Sequence, residues 1–121
     1  MLKSAKIALS CGSWTRDGGT ERIFSAMACG ALVITTRTPY LEETFIEGEE
    51  ILFYDLNKWS EVDGLVEYYL KHEEERLKIA LAGQTKVHAH HTWDHRAEEL
   101  MKLLPSFIEK MPRMCNYNSI K

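Results

Sequence analysis

The stretch that decides the fold is "RDGGTERIFSAMACGALVITTRTP", Arg16 to Pro39. Two glycines end a polar loop, and a helix begins at once. Thr20 is a good N-cap, and the carboxylate of Glu21 suits the first helical turn, where the peptide dipoles favour negative charge. Ile23, Phe24, Met27 and Ala28 then recur at helical spacing. Gly30 is a natural stop, because the residue past a helix end often takes a left-handed backbone. "ALVIT", Ala31 to Thr35, is continuously apolar and rich in β-branched residues, the pattern of a strand covered on both faces. Thr38 followed by Pro39 opens another helix, since proline fits the first turn.

Working outward, "KIALS" (Lys6 to Ser10) reads as a strand before the loop, and "ILFY" (Ile51 to Tyr54) as a third strand. The helix from Pro39 is expected to carry Leu41, Phe45 and Ile46 inward and to end near Gly48. Ser60 with Asp63 fits a loose capping box, and the helix behind it is expected to bury Val62, Leu65, Val66, Tyr69 and Leu70. A further helix spans Glu73 to about Ala89, with Leu77, Ala80, Leu81 and Val87 at helical spacing. Thr92 caps a last helix to about Lys110, with Trp93, Leu100, Leu103, Leu104 and Phe107 on its apolar face.

The order β-α-β-α-β-α-α-α predicts an α/β fold, a partial Rossmann-like parallel sheet of about three strands followed by C-terminal helices. Residues 1–111 form this domain, and 112–121 are a polar tail. Ligands of such sheets bind beyond the carboxyl ends of the strands. Three loops fall there: residues 11–20, 36–39 and 55–59. Three strands are few for an open parallel sheet, and both edges would be available for pairing. The chain is therefore expected to be a piece of a larger fold, or to pair with a second copy.

Composition narrows the function classes. Of the 121 residues, 45% are apolar and 27% charged, as in an ordinary soluble domain. The net charge of -3 argues against a nucleic-acid partner or an anionic membrane surface. No apolar run approaches the ~20 residues of a membrane span. Three cysteines (Cys11, Cys29, Cys115) without metal spacing, and no signal-peptide pattern at Met1, predict a reduced, cytoplasmic protein.

The loop itself has the parts of a diphosphate site. Backbone N–H groups face outward at a helix start, and Gly18 and Gly19 allow close approach of a ligand. Arg16 and Arg22 are charge-assisted donors suited to phosphate. The loop matches neither the Walker A pattern nor GxGxxG, so from pattern alone a plain strand-to-helix turn, with glycines for tight geometry, is the favoured reading.

The order of residues carries more. "GGTERIFSAMACGALVITTRTPYLEETFIEGEEILFYD", "YYLKHEEERLKIALAGQTKV" and "HTWDHRAEEL" together resemble the carboxyl-terminal domain of GT-B glycosyltransferases, in the spore-maturation-protein-like branch of the group 1 transferases. The likeness runs from about Lys6 to Leu104. It implies that the chain is half of a GT-B donor domain that binds a nucleotide-diphospho-sugar, UDP- or GDP-linked, with no bound cofactor or metal. Gly18, Gly19 and Thr20 would touch the diphosphate and sugar, with Arg22 beside them. Asp17 keeps the carboxylate that many group 1 enzymes carry as glutamate, whereas Ser25 stands where the family usually has the glutamate that binds the ribose hydroxyls. A serine hydroxyl is shorter and neutral, so the clamp would be weaker or taken over by a neighbour such as Glu21. The acceptor-binding domain and the first strands of the donor domain have no counterpart in these residues. The isolated chain is therefore expected not to turn over, and a non-catalytic homodimerising module is the competing expectation.

Other groups have blander readings. His88, His90, His91 and His95 crowd "HAHHTWDHR", and His91 and His95 are four apart, but no HExxH pattern follows and Thr92 interrupts the helix between them. Cys29 has no neighbouring base. Glu42 and Glu43 lie after the Thr-Pro turn, where solvated carboxylates are the common case. Trp14 could stack on a base or sugar, or plug the end of the sheet. A signalling receiver domain needs an acidic cluster at the strand ends, and only Asp17 and Asp55 are offered.

Overall fold

The computed structural model describes residues 4–11 and 18–110, with Lys110 as backbone only. Arg16, Asp17, Trp14, Cys115 and the tail 112–121 lie outside the described residues. The elements are β1 (Ile7–Ser10), α1 (Glu21–Ala28), β2 (Leu32–Thr36), α2 (Pro39–Thr44), β3 (Leu52–Tyr54), α3 (Trp59–Lys71), α4 (Glu73–His90) and α5 (Trp93–Lys110). The chain divides into two compact units, residues 1–90 with the sheet and α1–α4, and residues from 91 on with α5.

The sheet order is β1-β2-β3, all parallel. Ile7 pairs with Leu32 and Ser10 with Thr35, and Ile34 pairs with Leu52 and Thr36 with Tyr54. The central strand β2 is buried along its whole length, which is what its unbroken apolar run requires. Its side chains alternate between two cores. Val33 joins Ile23, Ala26, Met27, Leu41, Phe45, Phe53 and Val87 on one face, among helices α1, α2 and α4. Leu32 and Ile34 join Leu52, Tyr54, Val62, Ile79 and Ala80 on the other, under α3 and α4. Tyr54 reaches across the end of the sheet to donate a hydrogen bond to the Ser10 carbonyl, 3.2 Å.

The punctuation of the chain follows its chemistry. Gly30 has φ of +82°, its N–H bonds to the Met27 carbonyl, and Ala31 N–H bonds to Ala26, a Schellman ending for α1. Gln84 of α4 then donates to the Ala28 carbonyl, 2.9 Å, satisfying a carbonyl at the helix end. Thr38 caps α2 by accepting from Leu41 N–H, 3.3 Å, with Pro39 in the first turn. In the second unit, Thr92 and His95 bond reciprocally. Thr92 N–H donates to His95 Nδ1 and His95 N–H to Thr92 Oγ1, at 3.3 and 3.4 Å. This is a capping box with histidine in place of the usual glutamate.

Several inward assignments need correction. Helix α2 ends at Thr44, four residues before Gly48, and Ile46 is exposed, because Phe45 already has extended backbone. Helix α3 starts at Trp59 behind Lys58, with no side-chain cap, so the Ser60/Asp63 box does not form. Of its expected inward set Val62 is buried, Leu65, Val66 and Tyr69 are half-buried, and Leu70 is exposed. Helix α4 buries Arg76, Ile79, Ala80, Gly83 and Val87, leaving Leu77 50% and Leu81 63% exposed. That stripe keeps helical spacing but runs through a glycine and an arginine. An ideal Cβ on Gly83 would lie 2.5 Å from the Glu50 carbonyl oxygen and 2.6 Å from Met27 Cε, so the helix sits too close for any larger residue there. Trp93, Leu100, Leu103, Leu104 and Phe107 of α5 are exposed.

Candidate functional site

The parallel order puts the carboxyl ends of β1 and β2 beside the start of α1. Gly18, Gly19 and Thr20 lead into that helix, and all three are half-buried. Gly19 is held against α2: an ideal Cβ there would meet Leu41 Cδ2 at 3.1 Å and the ring edge of Tyr40, Cδ1 and Cε1, at 3.3 Å. Glycine thus lets the main chain press against the start of α2, a close approach that a side chain would force apart.

Thr20 occupies the N-cap position with extended backbone, yet its hydroxyl does not cap the helix. The Thr20 Oγ1 atom is buried and has no partner among the described residues, and neither has Thr35 Oγ1. Thr35 is fully buried near the carboxyl end of β2, on the same face as Val33, the face that α1 and α2 cover. A buried hydroxyl without a partner is costly, about 1–3 kcal/mol, so the pair at the N-cap of α1 and near the carboxyl end of β2 is notable.

Arg22 is exposed in the first turn of α1, with no ion-pair partner among the described residues. Ser25 is half-buried and lies one turn beyond Glu21. Both fall on the side of α1 opposite its buried stripe of Ile23, Ala26 and Met27. A glutamate therefore stands one turn from the serine position. Asp17 and Arg16 lie outside the described residues.

Arg37, which the sequence reading passed over, follows β2 at the same end. Its guanidinium reaches Glu42 at 2.9 Å and Glu47 at 2.8 Å and lies 5.1 Å from the centre of the Phe53 ring. The hydrogen bond it donates to Glu42 raises its pKa most, desolvation works against that, and Glu47 adds to the rise. Glu42 is thus half of an ion pair, and Glu43 is exposed to solvent.

The histidine cluster is otherwise engaged. Arg96 donates to His91 Nδ1 at 2.7 Å, and His95 Nδ1 is bound by Thr92. Among the described residues, no three His, Cys, Asp or Glu side chains gather as a metal set. An open groove of about 590 Å³ on the outer side of α4 is lined by Glu50, Lys78, Leu81, Thr85 and Lys86 among others, and none of the predicted site residues borders it.

A family model described as glycosyl transferase-like matches residues 1–102, most of the chain. The chain belongs to this glycosyl transferase-like family. Its general chemistry is therefore glycosyl transfer. No curated protein matches the chain. Among the described residues, no helix is long and apolar enough to cross a membrane. The family match spans the glycine loop, Thr20, Arg22 and Ser25, and the three-stranded sheet that carries them.

Proposed function

We propose that this glycosyl transferase-like chain is the nucleotide-sugar-binding part of a GT-B enzyme of group 1, in the spore-maturation-protein-like branch, acting in the cytoplasm. The backbone of Gly18, Gly19 and Thr20 at the start of α1 holds the donor diphosphate. Arg22 supplies a mobile positive charge to the phosphate oxygens, with Arg16 as a second candidate. The Ser25 position, with Glu21 one turn before it and Asp17 in the preceding loop, faces the ribose and sugar hydroxyls. Helix dipole and arginine charge together offset the negative charge that builds on the leaving diphosphate. No bound metal or cofactor enters this reading.

The observation that carries it is a start of α1 whose Thr20 hydroxyl makes no capping bond, with Arg22 exposed in the first turn beside it. Ile23 N–H bonds to the Thr20 carbonyl at 3.1 Å, so the amides ahead of Ile23 are the ones this reading assigns to an anion. Titration calorimetry with UDP and GDP tests it. Binding of one of them, lost in Arg22→Ala, is expected. Absence of binding by both, in a folded chain, overturns the reading. The isolated 121-residue chain is expected not to transfer sugar on its own.

A second reading is association through the sheet. Among the described residues β1 and β3 are the edges of the sheet, which leaves main-chain groups for pairing. A stable dimer by light scattering, unaffected by nucleotide, would favour a homodimerising module over donor binding.

A further inference from the structure

We propose that Tyr40 is the residue that contacts the transferred sugar of the donor, its ring forming one wall of the glycine loop and its hydroxyl donating to the sugar. The inference rests on the donor-site reading above and adds a residue from a different element. Three observations place Tyr40 there. Its ring edge is in contact range of the position a Gly19 side chain would take, at 3.3 Å. The other neighbour of Gly19, Leu41, is 1% exposed and committed to the core, whereas Tyr40 is half-buried and keeps surface to offer. The phenol hydroxyl has no hydrogen-bond partner among the described residues.

The ring is also fixed in place, which a contact residue needs. Its backbone lies in the first turn of α2, behind the Thr38 cap and Pro39. Its carbonyl accepts from Thr44 Oγ1 at 2.6 Å. Its ring packs on Phe24 of α1, centroids 6.4 Å apart and tilted by 55°. Tyr40 therefore joins the two helices whose starts meet at Gly19.

The chemistry suits a sugar better than a phosphate. A pyranose presents a C–H face and hydroxyls together, and a tyrosine presents an apolar ring with one polar end. Phosphate is matched by cationic donors and main-chain N–H groups, which Arg22 and the loop supply. The two parts of the donor thus meet two different elements: α1 takes the diphosphate and α2 the sugar.

The test is titration calorimetry of wild type, Tyr40→Phe and Tyr40→Ala, with UDP and GDP against UDP-glucose and GDP-mannose. Circular dichroism on each variant checks that it is folded, and Tyr40→Phe retains the ring that packs on Phe24. The nucleoside diphosphate is expected to bind Tyr40→Phe within about twofold of wild type, because the ring against Gly19 and Phe24 is kept. The matching nucleotide sugar is expected to bind Tyr40→Phe about 2–10-fold more weakly, the loss of one hydrogen bond, and Tyr40→Ala more weakly still. Equal weakening of nucleotide and nucleotide sugar, or no weakening of either, overturns the assignment while leaving the donor site intact. Failure of wild type to bind any of the four ligands overturns the donor site and Tyr40's role together.

Discussion

Gly83 offers a sharp test of the packing, because the same substitution at another helical glycine should act in the opposite direction. In the interior of a helix, glycine to alanine ordinarily stabilises by about 0.5–1 kcal/mol. At Gly83 the added methyl would sit 2.5 Å from the Glu50 carbonyl oxygen and 2.6 Å from Met27 Cε. An ordinary carbon–oxygen contact is about 3.3 Å, so the backbones must separate by roughly 0.8 Å. Neither neighbour yields easily. Met27 is 1% exposed, and the Glu50 carboxylate is tied to Lys86 at 2.7 Å and to the Ile46 amide at 2.9 Å. Overpacking of this kind costs about 1–3 kcal/mol, which outweighs the gain in propensity. Gly83→Ala is therefore expected to lose about 1–2 kcal/mol, a fall in melting temperature of roughly 5–15 °C. Gly64, in α3, has nothing within 4 Å of its ideal Cβ, so Gly64→Ala should gain about 0.5–1 kcal/mol. Thermal and urea denaturation followed by circular dichroism measure both. A Gly83→Ala protein as stable as wild type would falsify the account of how α4 meets the sheet.

Three further outcomes are expected. Thr38→Ala removes the cap on Leu41 N–H and should cost about 1 kcal/mol in urea denaturation, whereas Thr20→Ala, which removes no capping bond, should cost less. Burial, followed by the charge and hydrogen bond of Cys11, raises the pKa of Tyr54 above the usual tyrosine value of about 10. Above that pH the unfolded chain gives up a proton that the folded one keeps. Stability is thus whole below pH about 10 and falls as pH rises through the folded value, and Tyr54→Phe should flatten that fall in alkaline urea titrations. Ser25→Glu should tighten nucleotide binding by calorimetry, because a carboxylate accepts from two ribose hydroxyls at once, and equal affinities of the two proteins would remove ribose contact from this position.

Much of the fold was legible because the chain is punctuated by residues with one dominant use. Thr38-Pro39 and Gly30 mark helix ends by backbone chemistry alone, and the β2 run of Leu32 to Thr36 has the apolarity of a central strand. The buried faces were less legible, since periodicity identifies a face only by its large apolar residues. On α4 the closest contact needs the absence of a side chain, at Gly83, and one inward position is an arginine. Arg76 is 3% exposed and is accommodated by Glu73, three positions back on the same helix, at 2.7 Å, and by the Lys6 carbonyl at 3.4 Å, a partner that no local pattern announces. Leu77 and Leu81 attract attention in sequence and lie outside. At the candidate site the glycine loop was visible as a motif, but its neighbours were not. Tyr40 meets Gly19 across 21 positions of chain, and Thr35 looked like one more strand residue until its hydroxyl was found buried without a partner.

The central claim is that the start of α1 binds the diphosphate of a nucleotide sugar, and amide chemical shifts of the labelled chain during addition of UDP, with GDP in parallel, test it most directly. The account predicts that one of the two nucleotides produces its largest saturable shifts at Gly18, Gly19, Thr20 and Arg22, with Tyr40 and Leu41 following. Shifts centred instead on Lys78, Thr85 and Lys86 beside the α4 groove, or none with either nucleotide, would contradict it.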